Sequence, residues 1–185
     1  NADWLHDYAQ ASRLAFADRA LYVADPDFVQ APAGDWQSLL DPAYLKLRAQ
    51  LIGPISLKQT PAGTPLGAQK SAYAPMSDQV EFGTSHISVV DAYGNTLAMT
   101  TTIESAFGAR QMVRGFLLNN ELTDFSFAPT DLQGRPIANR VQANKRPRSS
   151  MSPTLVFDKR TGEFLMSTGS PGGEMIIHFT TKTLL

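Results

Sequence analysis

The feature that most limits what this 185-residue chain can fold into is a change of hydrophobic period across a stretch that has no period of its own. Before that stretch, apolar residues recur at Leu5, Tyr8, Ala9, Ala15, Phe16, Ala20 and Val23, with the small Ser12 on the same stripe. The spacing is close to 3.6 and predicts a helix over Leu5 to Ala24, with Asp3 capping its start and Asp25-Pro26-Asp27 stopping it. A shorter helix is predicted over Pro42 to Ile52, ended by Gly53-Pro54. After the stretch the pattern is that of strands. His86 to Val90, the turn Asp91-Ala92-Tyr93-Gly94-Asn95 and Thr96 to Ile103 read as strand, turn, strand. Leu155-Val156-Phe157, Asp158 to Gly162 and Glu163 to Ser167 repeat the arrangement. In between, from Ser56 to Val80, Pro, Gly, Ser, Ala and Gln dominate and charges are few, which predicts a long flexible loop. Loops of that length are unusual inside a compact domain and are often functional or cut. Helices, loop, two hairpins and then a helical pattern over Glu174 to Leu185 predict an α+β fold, a sheet covered by helices. The last pattern has no stop signal, so further chain is expected beyond Leu185.

Composition narrows the function classes. With 43% hydrophobic and 18% charged residues, the chain can build a sizeable core. A net charge of −1 provides no field to draw it to nucleic acid or to an anionic membrane. No apolar run approaches the ~18 residues of a membrane-spanning helix, and the first residues lack the pattern of a signal peptide. Cysteine is absent, which excludes disulfides, thiolate metal sites and a cysteine nucleophile. His6, His86 and His178 have no ligand-like spacing, Asp25-Pro26-Asp27 lacks the other ligands of a calcium loop, and no Walker or G-x-G-x-x-G pattern occurs. No metal and no cofactor are expected.

Four clusters could carry chemistry. Gly83-Thr84-Ser85-His86 lies where the loop meets the first strand. A Thr whose peptide nitrogen is freed can use that amine as its own base, since an α-amino group titrates near ~8. An exposed, poorly structured segment ahead of Thr84 would leave room for backbone cleavage; the bland alternative is a solvent-facing strand start. Gly169-Ser170-Pro171-Gly172-Gly173 leads into a helix and reads as an oxyanion hole or as a tight turn. Arg146 to Pro153 holds three hydroxyls and two prolines; Ser149 and Ser150, with nearby N–H groups, could bind a carboxylate, or the segment could be a basic surface turn. Asn119 to Phe125 sets Glu121 and Asp124 among amides, a grip for an ammonium or a capped strand end. A carboxylate pair also fits glycosidase chemistry, which nothing else in the chain supports.

Taken in order, A-F-A-D-R, D-P-D-F, T-S-H-I-S-V-V-D-A-Y-G-N, F-L-L-N-N-E-L-T-D-F, N-K-R-P-R-S-S-M-S-P-T and S-T-G-S-P-G-G resemble the γ-glutamyltranspeptidase family over nearly the whole chain. The resemblance implies an αββα sandwich of the N-terminal-nucleophile hydrolases, incomplete in this chain, made as a precursor that cuts itself at Gly83-Thr84. Residues 1–83 would be the C-terminal part of the large subunit and 84–185 the N-terminal part of the small catalytic subunit. It implies Thr84 as nucleophile, Thr102 as its supporting hydroxyl, and the N–H groups of Gly172 and Gly173 as oxyanion donors. The amino-acid end of the γ-glutamyl group would be held by Glu121, Asp124, Ser149 and Ser150. Expected partners are glutathione or another γ-glutamyl compound, an acceptor amino acid, dipeptide or water, and the remaining parts of both subunits. A periplasmic or extracellular location is implied as well.

At the further substrate-binding position, Glu104 stands where typical members have an Asn. Two readings of it stay open. It could pair with Arg110 or Arg114 in the short stretch 108–115, or the pocket could take another acyl group, as in the related cephalosporin (glutaryl) acylases. An uncleaved, non-catalytic relative is the remaining alternative.

Overall fold

The computed structural model describes residues 1–80 and 83–185. Residues 81 and 82, the end of the segment expected to give room for cleavage, lie outside the described residues. Helix and strand are both present, as the α+β reading expects. The chain forms two compact units, each from two stretches: Asn1–Gln79 with Phe125–Arg148, and Val80–Asp124 with Ser149–Leu185. No described helix is long and apolar enough to cross a membrane.

In the first unit, α1 spans Ala2–Tyr22 and α2 spans Pro42–Ala49. Asn1, rather than Asp3, caps α1: its side chain accepts from Asp3 N at 3.0 Å. Asp41 caps α2 by accepting from the N–H groups of Ala43 and Tyr44. The buried stripe of α1 also differs from the apolar stripe expected. Gln10, Leu14, Asp18 and Tyr22 are buried, whereas Leu5 is exposed. The reason is hydrogen bonding. The buried face of α1 meets backbone that needs donors and acceptors, and polar side chains answer that need where apolar ones cannot.

Asp18 is the hub of that face. It accepts from the Tyr44 hydroxyl at 2.8 Å and from Gly63 N at 2.7 Å, and pairs with Arg48 at 3.0 Å. Arg48 also donates to Leu14 O and Pro61 O, and the Tyr22 hydroxyl donates to Gly63 O. Gln10 bonds Ser56 and the Leu57 N–H. The long loop is therefore irregular, as expected, but it is not loose. Ala74 N donates to Pro136 O and Met76 N to Ala20 O, both at 2.9 Å, and Ala74 and Met76 are buried. A loop without ladder partners becomes ordered when a helix and a second segment take its backbone groups.

The second stretch of this unit is anchored by charge. The Asp25 carboxylate accepts from Arg146 N at 2.8 Å, Arg146 Nε at 3.0 Å and Arg146 Nη2 at 2.7 Å; the same Nη2 reaches Asp27 at 2.6 Å. Lys145 is buried, with Nζ donating to Ala138 O, Arg140 O and Gln142 Oε1. Burial, and then the Arg140 charge, push its ammonium pKa down. The Asn139 side chain accepts from Arg148 N at 3.1 Å. Apolar packing is modest: Ala24, Val29 and Ala138 form one cluster, and Ala74, Met76 and Ile137 another.

Among the described residues the second unit holds three antiparallel hairpins. The first pairs β1 (Ser85–Val90) with β2 (Thr96–Thr101) in the register Ser85↔Thr101, His86↔Thr100, Ser88↔Ala98. The second, a two-residue pairing of β3 (Met112–Val113) with β4 (Phe116–Leu117), was not anticipated; Arg114 and Gly115 turn it at positive φ. The third pairs β5 (Thr154–Phe157) with β6 (Phe164–Thr168). An aspartate closes each of the two long turns. Asp91 accepts from Tyr93 N and Asn95 N, and Asp158 from Arg160 N and Thr161 N. These bonds, led by the Asn95 side chain in one turn and the Thr161 N–H in the other, hold both carboxyls below the ordinary range. A short 3-10 turn, Gly173–Met175, leads into α3 (Ile176–Leu184), which begins two residues later than the helical pattern starting at Glu174.

Two outcomes follow for the first unit. Tyr44→Phe removes a buried hydroxyl donor to a carboxylate and is expected to cost about 1.5–3 kcal/mol in chemical denaturation. The hydrogen bonds from Arg146, side chain first and then backbone, hold the Asp25 carboxyl well below the usual range. A depressed carboxyl binds fewer protons folded than unfolded, so its stabilisation is present above the ordinary pKa near ~4 and is lost as pH falls toward the folded value. The thermal midpoint should therefore drop between about pH 4 and about pH 2, and the drop should be shallower in Arg146→Ala, which is already less stable at neutral pH.

Candidate active site

All candidate residues belong to the second unit. The β1–β2 register ends at Ser85↔Thr101, so Thr84 directly precedes β1 and Thr102 directly follows β2 at the same end of the hairpin. Both are half-buried. The Thr84 hydroxyl lies against the carbonyl oxygen of Gly83.

Glu104 is the point on which this end of the hairpin rests. Its N–H donates to Thr102 Oγ1 at 2.7 Å, its backbone takes φ of 69°, and it is 5% exposed. Gly83, at φ 67°, sits directly on it: a Cβ there would fall 1.8 Å from Glu104 O. Thus Gly83, Thr84, Thr102 and Glu104 are brought together, largely through backbone. Glu104 Oε1 accepts from the Thr123 hydroxyl at 3.2 Å. Thr123 lies in the short turn Glu121–Asp124, which carries two further candidates, both half-buried. Asn120 ties this turn back to the hairpin end. Its side chain accepts from Ser105 N at 3.0 Å and donates to Ser105 Oγ at 3.1 Å, and its N–H donates to Ile103 O. Asn120 and Thr123 were not singled out from sequence; next to Glu121 and Asp124, they read only as polar neighbours.

The other candidates lie on separate segments. Ser149 is exposed and accepts from Met151 N at 3.2 Å, while Ser150 is buried. Gly172 and Gly173 take φ of 130° and 55° at the mouth of α3. Among the described residues no hydrogen bond runs from Thr84 to that turn. No group of three or more His, Cys, Asp or Glu side chains among the described residues is arranged to hold a metal. A cleft of about 310 Å³ lies in the first unit, lined by residues including Tyr22, Gln30, Gln69 and Tyr73, and none of the candidates borders it.

The arrangement offers a hydroxyl beside a peptide carbonyl, a second hydroxyl at the same end of the hairpin, and carboxylates on the adjoining turn. That is equipment for acyl transfer from an amide to an oxygen nucleophile.

A family model described as gamma-glutamyltranspeptidase matches residues 1–185. The chain is 42% identical over 185 residues to the glutathione hydrolase proenzyme of Bacillus subtilis (strain 168), covering 96% of this chain and 30% of that protein. It is 40% identical over 184 residues to the glutathione hydrolase proenzyme of Escherichia coli (strain K12), covering 96% of this chain and 29% of that protein. Among solved structures, a mutant of Helicobacter pylori gamma-glutamyltranspeptidase matches at 42% identity with a TM-score of 0.46, over 54% of this chain and 55% of that one. The chain thus spans less than a third of the length of these two curated relatives.

Gly83→Ala tests the close approach. A methyl so near Glu104 O, at a φ that costs a non-glycine residue roughly 1–2 kcal/mol, must push the segment away. The expected readout is faster hydrogen exchange at the Glu104 amide, whose acceptor is Thr102.

Proposed function

The chain belongs to the gamma-glutamyltranspeptidase family, and we propose that the protein containing it moves γ-glutamyl groups from glutathione and other γ-glutamyl amides to water or to an acceptor amino acid or dipeptide. The observation that carries the proposal is the end of the first hairpin, where Thr84 and Thr102 flank the last pair, Ser85↔Thr101, and the Thr84 hydroxyl lies against the Gly83 carbonyl oxygen.

Two acyl transfers would use one hydroxyl. In maturation, Thr84 Oγ1 attacks the Gly83 carbonyl carbon, the C–N bond breaks, and water hydrolyses the resulting ester. Residues 1–83 then end the large subunit, and Thr84 opens the small subunit with a free amine. That amine accepts the hydroxyl proton when Thr84 attacks the γ-amide carbonyl of the donor. The amine product leaves with the proton, and a γ-glutamyl ester remains on Thr84 until water or an acceptor amine releases it. Thr102 supports the nucleophile. The N–H groups of Gly172 and Gly173 would receive the oxyanion, a contribution worth about 10²–10³ in rate per donor. Glu121 and Asp124 suit the substrate ammonium, and Ser149 and Ser150 its carboxylate. Glu104, buried against Thr123, adds negative charge beside that ammonium site.

The hairpins would form part of the αββα sandwich, completed by the remaining parts of both subunits. Ile87, Val89, Leu97 and Met99 are between 41% and 46% exposed, apolar surface of the kind such layers cover. A periplasmic or extracellular site of action accords with these substrates.

Mass spectrometry of the full-length protein should find two fragments, the smaller beginning at Thr84. Thr84→Ala should stay uncut and lose turnover of a γ-glutamyl anilide by roughly 10³-fold or more. A Thr84→Ala protein that still splits at this bond, or turnover of a glutaryl anilide equal to that of the γ-glutamyl one, would sink the proposal.

A further inference from the structure

His86 is not used by the chemistry above, yet it lies in the middle of the site's framework. It is the second residue of β1, two positions after Thr84, which directly precedes the strand. Thr100 is its cross-strand partner. His86 Nδ1 lies 2.9 Å from Thr100 Oγ1, and Nε2 lies 3.1 Å from Ser88 Oγ. Ser88 Oγ is 2.9 Å from Ser167 Oγ on β6, and Ser167 Oγ is 3.2 Å from Leu97 O.

Ser167 donates to Ser88 Oγ and lies within reach of Leu97 O, so hydroxyls meet the imidazole at both ring nitrogens and fix the plane of the ring.

The face of that ring closes on Gly169. A Cβ at Gly169 would lie 2.2 Å from both His86 Cε1 and Nδ1, and 2.8 Å from Cγ. No side chain fits there while the imidazole keeps its place. Gly169 directly follows β6 and stands three residues before Gly172. The imidazole is therefore a spacer between the strand that directly follows Thr84 and the segment that leads to the Gly172-Gly173 turn.

We infer that His86 is a positioning residue: its imidazole, seated on Gly169, sets the distance between the Thr84 hydroxyl and the N–H groups of Gly172 and Gly173. This rests on the proposed roles of Thr84 and that turn. The residues proposed to hold the γ-glutamyl ammonium and carboxylate lie elsewhere, so misplacing the turn should act on kcat and spare KM.

The test uses the full-length protein and a γ-glutamyl anilide, with kcat counted per cleaved chain. Gly169→Ala should lower kcat by about 10²-fold, the usual effect of a displacement near 1 Å, with KM within about threefold of wild type. His86→Ala should lower kcat about tenfold at similar KM, because the turn loses its support. The double variant is the discriminating one. With the imidazole gone the new methyl has room, so kcat should recover at least about tenfold over Gly169→Ala. Wild-type kcat in either single variant, or a double variant whose loss is the product of the two singles, overturns the inference. Should Gly169→Ala not fold, the kcat and KM of His86→Ala decide, and unchanged kcat overturns it. A wild-type protein without turnover refutes the functional reading and this inference together, whereas wild-type turnover with unaffected variants refutes this inference alone.

Discussion

The contact between Asp25 and Arg146 is the one on which the first unit most depends. The two residues are 121 positions apart, and four polar contacts join Arg146 to Asp25 and Asp27. Asp25 has almost no side-chain exposure. A buried carboxylate is tolerable only when its lone pairs are taken, so the return of the chain at Arg146 is required by the burial of Asp25. The Asp18 hub does the same for the loop after α2, binding Tyr44, Gly63 and Arg48. Half of the buried residues in the two apolar clusters are alanines, Ala24, Ala74 and Ala138. Directional bonds, more than bulk packing, decide which segment lies where.

The second unit uses a different device. Its hairpins are locally determined, each long turn closed by an aspartate that accepts from the N–H groups just ahead of it. Local closure leaves the strand ends free to meet other groups. At the end of β2, Glu104 takes φ of 69° and turns the chain back, so that its backbone touches Gly83 on one side and Thr102 on the other. A left-handed glutamate is costly, and conformations of this kind persist where their surroundings over-determine them. Here the Thr102 hydroxyl, the Thr123 hydroxyl and the Gly83 backbone converge on one residue.

The helices and the two long hairpins were legible in the sequence because their signals are local: a period, a stop, a turn. The buried face of α1 was not. Gln10 and Asp18 look like solvent residues until the loop backbone at Leu57 and Gly63 arrives to use them. The order in residues 56–80 was hidden for the same reason, since its partners Ala20 and Pro136 are remote in sequence. At the candidate site, the runs around Gly83-Thr84 and Ser149-Ser150 were readable as motifs. The support beneath them, Asn120 to Ser105 and Thr123 to Glu104, was not, because an amide or hydroxyl among many polar neighbours has no signature until its partner is known. Gly169 shows the same limit: its need to be glycine comes from the face of His86, 83 residues earlier.

The first unit takes Asn1–Gln79 from one side of the Gly83-Thr84 bond and Phe125–Arg148 from the other. Opening that bond would leave its atoms in place and change its thermodynamic character. A fold of one polypeptide would become a complex of two, in which the Asp25–Arg146 contact is an intermolecular one. Tethering would no longer hold the partner at high effective concentration. The stability of the unit would then depend on how much protein is present, and dilution alone could take it apart.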